Sequence, residues 1–315
     1  MKTPPLAFAL LMMVPLAAPV ASAAAGAARA NRELVVCGRD EVFILDLDAR
    51  DAAGAPKKIW SWQAAGRRDL PAEYHGLFRS TDECKPFDGG RRILITSSGG
   101  AVALVDREKD SVLFYGRAVN AHSADLLPNG RVAVAASRDP QGTKGDALIL
   151  FEIASPGREL WRTELPTGHG VVWDESRKIL WALADREIRR YQLVDWETTA
   201  PRLRLVGGLQ LPEGSGHDLY PVPHTSFLSV TTAAHCWLFD RDVNALVPHP
   251  ALSARSSIKC ISQHPITGQL AFVEAERPNW WSLRIQFLHP DQSCSVPDEQ
   301  FYKVRWVVVP AAGGR

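Results

Sequence analysis

Ala121-His122-Ser123-Ala124-Asp125-Leu126-Leu127-Pro128-Asn129-Gly130-Arg131-Val132-Ala133-Val134-Ala135 reads as a strand, a Pro-Asn-Gly turn and a second, alternating strand. Two more strands follow, Ala147-Leu148-Ile149-Leu150-Phe151 and Glu159-Leu160-Trp161-Arg162, which completes a four-stranded unit. The opening theme returns as Gly168-His169-Gly170-Val171, Gly216-His217-Asp218-Leu219 and Ile258-Lys259-Cys260-Ile261, at steps of 47, 48 and 42 residues. A strand-rich unit repeating every 40–50 residues or so is the signature of a β-propeller, one unit to a blade. Equivalent positions of successive blades meet at the central axis. The repeat therefore predicts that His122, His169, His217 and Lys259 share one cluster.

Working outward, the units after His169, His217 and Lys259 repeat the same order of strands. The Lys259 unit is expected to draw on residues 260–262, 270–273, 283–287 and 301–308. Upstream, residues 82–87, 93–96 and 102–105 flank the Gly89-Gly90 turn and belong to another blade. The first segment, residues 34–37, 42–45 and 59–62, supplies only three strands. A closed ring removes exposed strand edges, so a C-terminal strand drawn from residues 302–310 is expected to complete it. The expected fold is all-β, a single domain over residues 31–310 with six blades, five or seven being the other counts.

The chain opens with Lys2, an apolar run from Leu6 to Val20 and Ala21-Ser22-Ala23, the pattern of a secretory signal peptide over residues 1–23. Pro15 and Pro19 interrupt the run, which is short of the ~20 apolar residues of a membrane helix. No second candidate span follows. The mature protein is expected to be secreted or periplasmic, starting near Ala24. With 36 basic and 35 acidic residues, the net charge of +1 offers no footprint for nucleic acid or an anionic membrane. Export permits disulfides, yet five cysteines (Cys37, Cys84, Cys236, Cys260, Cys294) leave at least one unpaired. Cys84 and Cys260 stand at blade starts, where they could approach each other.

The order of motifs adds a resemblance. Val35-Val36-Cys37-Gly38, Trp60-Ser61-Trp62, Thr81-Asp82-Glu83-Cys84-Lys85, His122-Ser123-Ala124-Asp125-Leu126-Leu127-Pro128, Gly168-His169-Gly170-Val171-Val172-Trp173-Asp174, Gly216-His217-Asp218-Leu219, Ile258-Lys259, Trp280-Trp281 and Tyr302-Lys303-Val304-Arg305-Trp306 resemble an uncharacterised family of secreted bacterial six-bladed propellers, a kind often encoded beside carbohydrate-degradation genes. The resemblance covers nearly all of the chain after the leader and implies the fold, with no reaction attached. The chain departs from the family at Glu83-Cys84, where Ala is usual, and at Cys260, where Ser is. A more distant, fold-level similarity links it to propeller polysaccharide lyases, some of which hold a divalent metal on axis histidines.

Three neutral imidazoles from adjacent blades suit Zn²⁺ or Mn²⁺, which makes His122, His169 and His217 candidate metal ligands. Asp82, Glu83, Asp125 and Asp218 could complete the shell or orient a ring nitrogen. The same histidines could instead tie neighbouring blades together through backbone carbonyls. For a carbohydrate ligand, the candidate binding residues are His122, Asp82, Lys85, Asp125, Asp218 and Trp281, with Arg79 or Arg138 as carboxylate clamps. Trp280-Trp281 would form a stacking platform. For catalysis the candidates are His169, His217 and Lys259. A lyase fits them best: a cation neutralises a uronate carboxylate, a neutral His or Lys takes the acidified α-proton, and the glycosidic oxygen is expelled. A hydrolase wants two carboxylates at a fixed separation, and none are singled out. A Ca²⁺ lactonase or esterase would need oxygen ligands at the axis. The alternative class is a non-enzymatic binding or scaffold protein of the cell envelope, with a protein partner. His75, His224, His235, His249, His264 and His289 lie outside the repeated theme, and the last five are expected in solvent.

Overall fold

The computed structural model describes residues 32–142 and 144–308; the expected leader lies outside the described residues. Strand alternation builds the core. In the unit quoted above, Val132 and Val134 pack with Leu94, Val102 and Leu104 of the preceding unit. Ala133 and Ala135, facing the other way, pack with Val171, Leu180 and Ala182 of the next. Successive side chains of a strand point to opposite faces, so each central strand is buried on both sides between neighbouring blades. That is why residues 131–136 are buried without interruption.

Six four-stranded antiparallel sheets result, and the fold is a six-bladed β-propeller. The innermost strands of five blades are Thr81–Phe87, Ala121–Leu127, Gly170–Asp174, Asp218–Pro221 and Ile258–Gln263. The sixth blade combines Glu33–Cys37, Glu41–Arg50 and Pro56–Gln63 with Lys303–Trp306 as its innermost strand, paired antiparallel through Leu34–Trp306, Val35–Arg305, Val36–Val304 and Cys37–Lys303. The ring is thus closed by a C-terminal strand, as expected. One expectation needs correcting: the outermost strand of the Lys259 blade is Gln292–Cys294 and not residues 301–308. A segment cannot be the outer edge of one blade and the inner edge of the next, and ring closure claims it.

Among the described residues no helix is long and apolar enough to cross a membrane. All five cysteines are free thiols. Cys84 and Cys260 come to the same 303–304 peptide without a disulfide between them: Cys84 lies with Cys37, their sulfurs 3.7 and 3.6 Å from the Lys303 carbonyl, while Cys260 Sγ accepts from the Val304 N–H at 3.2 Å. His249 and His264, expected in solvent, are buried. Each turns its Nδ1 on two backbone N–H groups, of Ala251 and Leu252 and of Ile266 and Thr267.

Candidate functional site

The starts of the inner strands surround a cavity of about 970 Å³ at one mouth of the axis. Asp82, His122, His169, His217, Lys259 and Tyr302 each enter it from a different blade, with Trp280, Trp281, Arg138 and Arg277 on its walls. Glycines set this geometry. A Cβ on Gly170 would stand 2.5 Å from Leu219 Cβ, and one on Gly216 2.8 Å from the Ala184 carbonyl oxygen. Gly170 thus lets the next inner strand approach, and Gly216 lets the chain pass the end of strand Ile179–Leu183 in the preceding blade. Gly170→Ala is expected to cost about 1–3 kcal/mol by overpacking, read as a shifted urea midpoint at unchanged slope.

The rings of His122 and His169 stack at 4.2 Å between centroids and 16° between planes, and His217 meets His169 edge-on at 5.2 Å. His169 Nδ1 donates to the Thr167 carbonyl at 2.8 Å. In the neutral ring this leaves the lone pair on Nε2. Burial, then the neighbouring His122 and His217, hold the His169 pKa well below the usual imidazole value. His217 is lowered in the same way by burial and then by the charge of Lys259. His122 Nδ1 lies 3.3 Å from Asp82 Oδ1 without hydrogen-bond alignment, and Asp82 Oδ2 accepts from the Ser98 N–H.

Lys259 is the chemically unusual member. It is 3% exposed, and its Nζ donates to His217 Nε2 at 3.2 Å and sits 4.8 Å from the Trp280 ring centroid. No carboxylate partners it among the described residues. Burial, followed by the charges of Lys303 and Arg277, brings its pKa down to about 8.

The expected metal set does not fit this arrangement. A metal ligated by imidazole lies in the plane of the ring, and two face-to-face rings cannot both aim in-plane lone pairs at one ion. Among the described residues no three His, Cys, Asp or Glu side chains are arranged to hold one.

Several expected ligand residues also belong elsewhere. Below the histidines the axis is filled by charge. Arg305 makes paired bonds to Glu83 (2.9 and 2.9 Å) and to Asp218 (3.0 and 2.6 Å), and stacks 3.9 Å from the Tyr220 ring centroid. Lys303 lies 3.5 Å from Glu83 and 3.1 Å from Asp218. Burial alone would raise the Glu83 pKa, yet Arg305, Lys303 and Lys85 together carry it well below the carboxylate range. Lys85 and Asp125 pair at 3.3 Å and line a separate cavity of about 280 Å³ at the far ends of the inner strands, with Trp173, Tyr220 and Trp306. Asp125 and Asp218 also accept from the Trp173 and Ile261 N–H groups of the next blade, so they stitch blades together. Lys85, Asp125 and Asp218 are therefore not on the walls of the histidine cavity, whereas His122, His169, His217, Lys259, Asp82 and Trp281 are. Of the two expected clamps, Arg138 lines the cavity and Arg79 does not. Tyr302, Lys303, Arg305, Arg277 and Trp280 complete the site and its floor. His75, 47 residues before His122, bonds through Nε2 to the Arg67 and Leu70 carbonyls away from the axis, so its spacing is accidental.

Fold and site together define a six-bladed propeller with an open, imidazole- and amine-lined axial pocket over a neutralised ionic core. Residues 3–311 match the Family of unknown function (DUF6528), and the chain belongs to that family. No match was found among curated proteins.

Proposed function

We propose that the axial pocket binds a carboxylate-bearing sugar, a fragment of a uronate-containing glycan. The observation that carries this reading is Lys259: a buried amine, cationic at neutral pH, that opens on the cavity with no carboxylate among the described residues to neutralise it. A buried charge left unpaired is costly, and a ligand carboxylate would remove the cost. The cavity has the size of a small-ligand site. The indoles of Trp280 and Trp281 offer faces for pyranose rings, and Arg138 and Arg277 add cationic rim groups.

The test is titration calorimetry with oligogalacturonate beside a neutral oligosaccharide of equal length. Binding of the first alone, lost in Lys259→Met, is expected. Equal affinity for both, or for neither, would remove the proposal.

One observation favours a reaction as well. The His169 tautomer leaves Nε2 as an unprotonated base at neutral pH, suited to take the proton α to a uronate carboxylate while Lys259 stabilises the developing enolate. The chain would then be a lyase. His169→Ala is expected to abolish formation of the ultraviolet-absorbing unsaturated product without loss of binding. Binding with no turnover in the wild type would instead leave the non-enzymatic envelope protein. Export is part of this proposal, and N-terminal sequencing of the cell-derived protein, expected to begin near Ala24, checks it.

A further inference from the structure

The Lys259 amine is placed for covalent chemistry as well as for charge. Its Nζ faces a cavity large enough for a ligand, touches the Trp280 face on one side and is bonded to an unprotonated imidazole nitrogen, His217 Nε2, at 3.2 Å. A lysine held as a structural cation is paired with a carboxylate, as Lys303 is with Glu83 and Asp218 and Lys85 is with Asp125. Those two lysines stand, as Lys259 does, on inner strands of the ring and mark the difference by contrast. The other cation beside the amine, Arg277, donates through Nε to Ser257 Oγ at 3.2 Å and lines the same wall.

We propose that Lys259 forms an imine with a 2-oxo acid, the ligand carboxylate facing the cationic wall of Arg277 and His217 serving as the proton acceptor. The class follows from the geometry. In a 2-oxo acid the carboxylate and the carbonyl sit on adjacent carbons, so the group drawn by the cations brings the electrophilic carbon to Nζ. The Nζ lone pair attacks that carbon and a C–N bond forms. The carbonyl π pair moves to oxygen, which takes up a proton from solvent, while one of the two Nζ protons passes to His217 Nε2. The hydroxyl of the carbinolamine then leaves as water with the proton returned by His217, and the nitrogen lone pair forms the C=N bond of a protonated imine, whose charge is that of the solvent proton. No oxidant or reductant enters. The proposal rests on the reading of the pocket as a carboxylate site. It also fits a place in sequence: β-elimination leaves a cyclic enol ether on the uronate, and once that residue is released by glycosidic cleavage its ring opens and ketonises to a 2-oxo acid, so this ligand is what elimination followed by hydrolysis would supply. The depressed pKa agrees, since the free amine is the nucleophile.

The test incubates the full-length protein with pyruvate and cyanoborohydride near neutral pH, then maps peptides by mass spectrometry. A carboxyethyl group concentrated on Lys259 is expected, since at that pH it holds roughly 300-fold more free amine than an exposed lysine. Lys259→Arg keeps the charge and should show no adduct at that position. Because the wild-type map locates the adduct, the result does not hinge on a variant folding. Adducts spread evenly over surface lysines, or none, would overturn the imine. The two readings separate cleanly. Oligogalacturonate binding without trapping sinks the imine alone; trapping at Lys259 that oligogalacturonate does not block sinks the glycan reading and leaves the imine; failure of both binding and trapping removes both.

Discussion

Arg305→Met is expected to lower the stability of the fold by about 3–5 kcal/mol, the usual effect of stranding a buried charge. In a domain of this size that is a fall in melting temperature on the order of 10 °C. The guanidinium is fully buried and, among the described residues, is the only side chain to bond both Glu83 and Asp218 bidentately, carboxylates that come from different blades. Met fills the volume but leaves two carboxylates with the single ammonium of Lys303. The pH dependence gives a second readout. Glu83 is held below its ordinary pKa, so its contribution is complete above the unfolded carboxylate value and drains away as pH falls through the folded one. Removing Arg305 takes away the leading cause of that depression. The stability gap between variant and wild type should therefore be widest at neutral pH and narrow on acidification. Adding Glu83→Leu should recover much of the loss, because Asp218 and Lys303 then remain as a matched pair. Thermal melts followed by circular dichroism from pH 4 to 8 would check all three points. A gap that is constant with pH would mean that Arg305 acts by packing against Tyr220 and not by charge.

That ionic floor is also where sequence and structure part company. The repeated Gly-His theme made the blade count and the mouth of the axis legible, because strand alternation and spacing are local signals that ring closure preserves. Lys303 and Arg305 stand in a motif of the family resemblance but not among the candidate site residues, for a physical reason. Lys303-Val304-Arg305-Trp306 alternates charge with apolar bulk, which in most sheets marks a strand with one face in water. Here the charged face turns into the axis, where the counter-charges come from Glu83 and Asp218, 220 and 85 residues upstream of Lys303. No local pattern announces such a pairing. Asp125 and Asp218 misled in the opposite direction. They lie three and one residues after the pocket histidines, yet each takes a hydrogen bond from the inner strand of the next blade and is committed to holding the ring together. The histidines matched in position but not in orientation: spacing brought three imidazoles to one place, and ring stacking between His122 and His169 denies them a common metal. A usable signal did exist in the imbalance of charge at the inner strands, where Lys259 is the one member of the repeated theme that carries a cation and has no acidic residue beside it in sequence.

Lys259→Met is expected to make the unliganded protein more stable, by up to about 3 kcal/mol at pH 7. The figure is the distance from the ordinary 10.5 to about 8 at 1.36 kcal/mol per unit. The sign follows from linkage. Between pH 8 and 10.5 the unfolded chain holds a proton on this lysine that the folded chain has released, so wild-type stability rises with pH across that window. Below it the folded protein carries the whole cost of a buried, unpaired ammonium, offset in part by the Trp280 face. Met keeps the stem and removes the charge. The stability gap should close as pH is raised through 8 to 10.5. A structural lysine behaves the other way: Lys303→Met should destabilise, since it strands the carboxylates that Lys303 serves. Ligand binding reverses the ranking of the Lys259 variant. A carboxylate that needs the ammonium should bind wild type with affinity that weakens above pH 8, by up to about tenfold per pH unit, and should bind the variant poorly at every pH. Urea denaturation of wild type and Lys259→Met at pH 7 and 10, with and without oligogalacturonate, measures both effects. A variant destabilised at pH 7 would mean that Lys259 is part of the scaffold. A variant stabilised when empty yet unresponsive to ligand would show a charge retained for binding at the expense of the fold, which is the behaviour of a functional site.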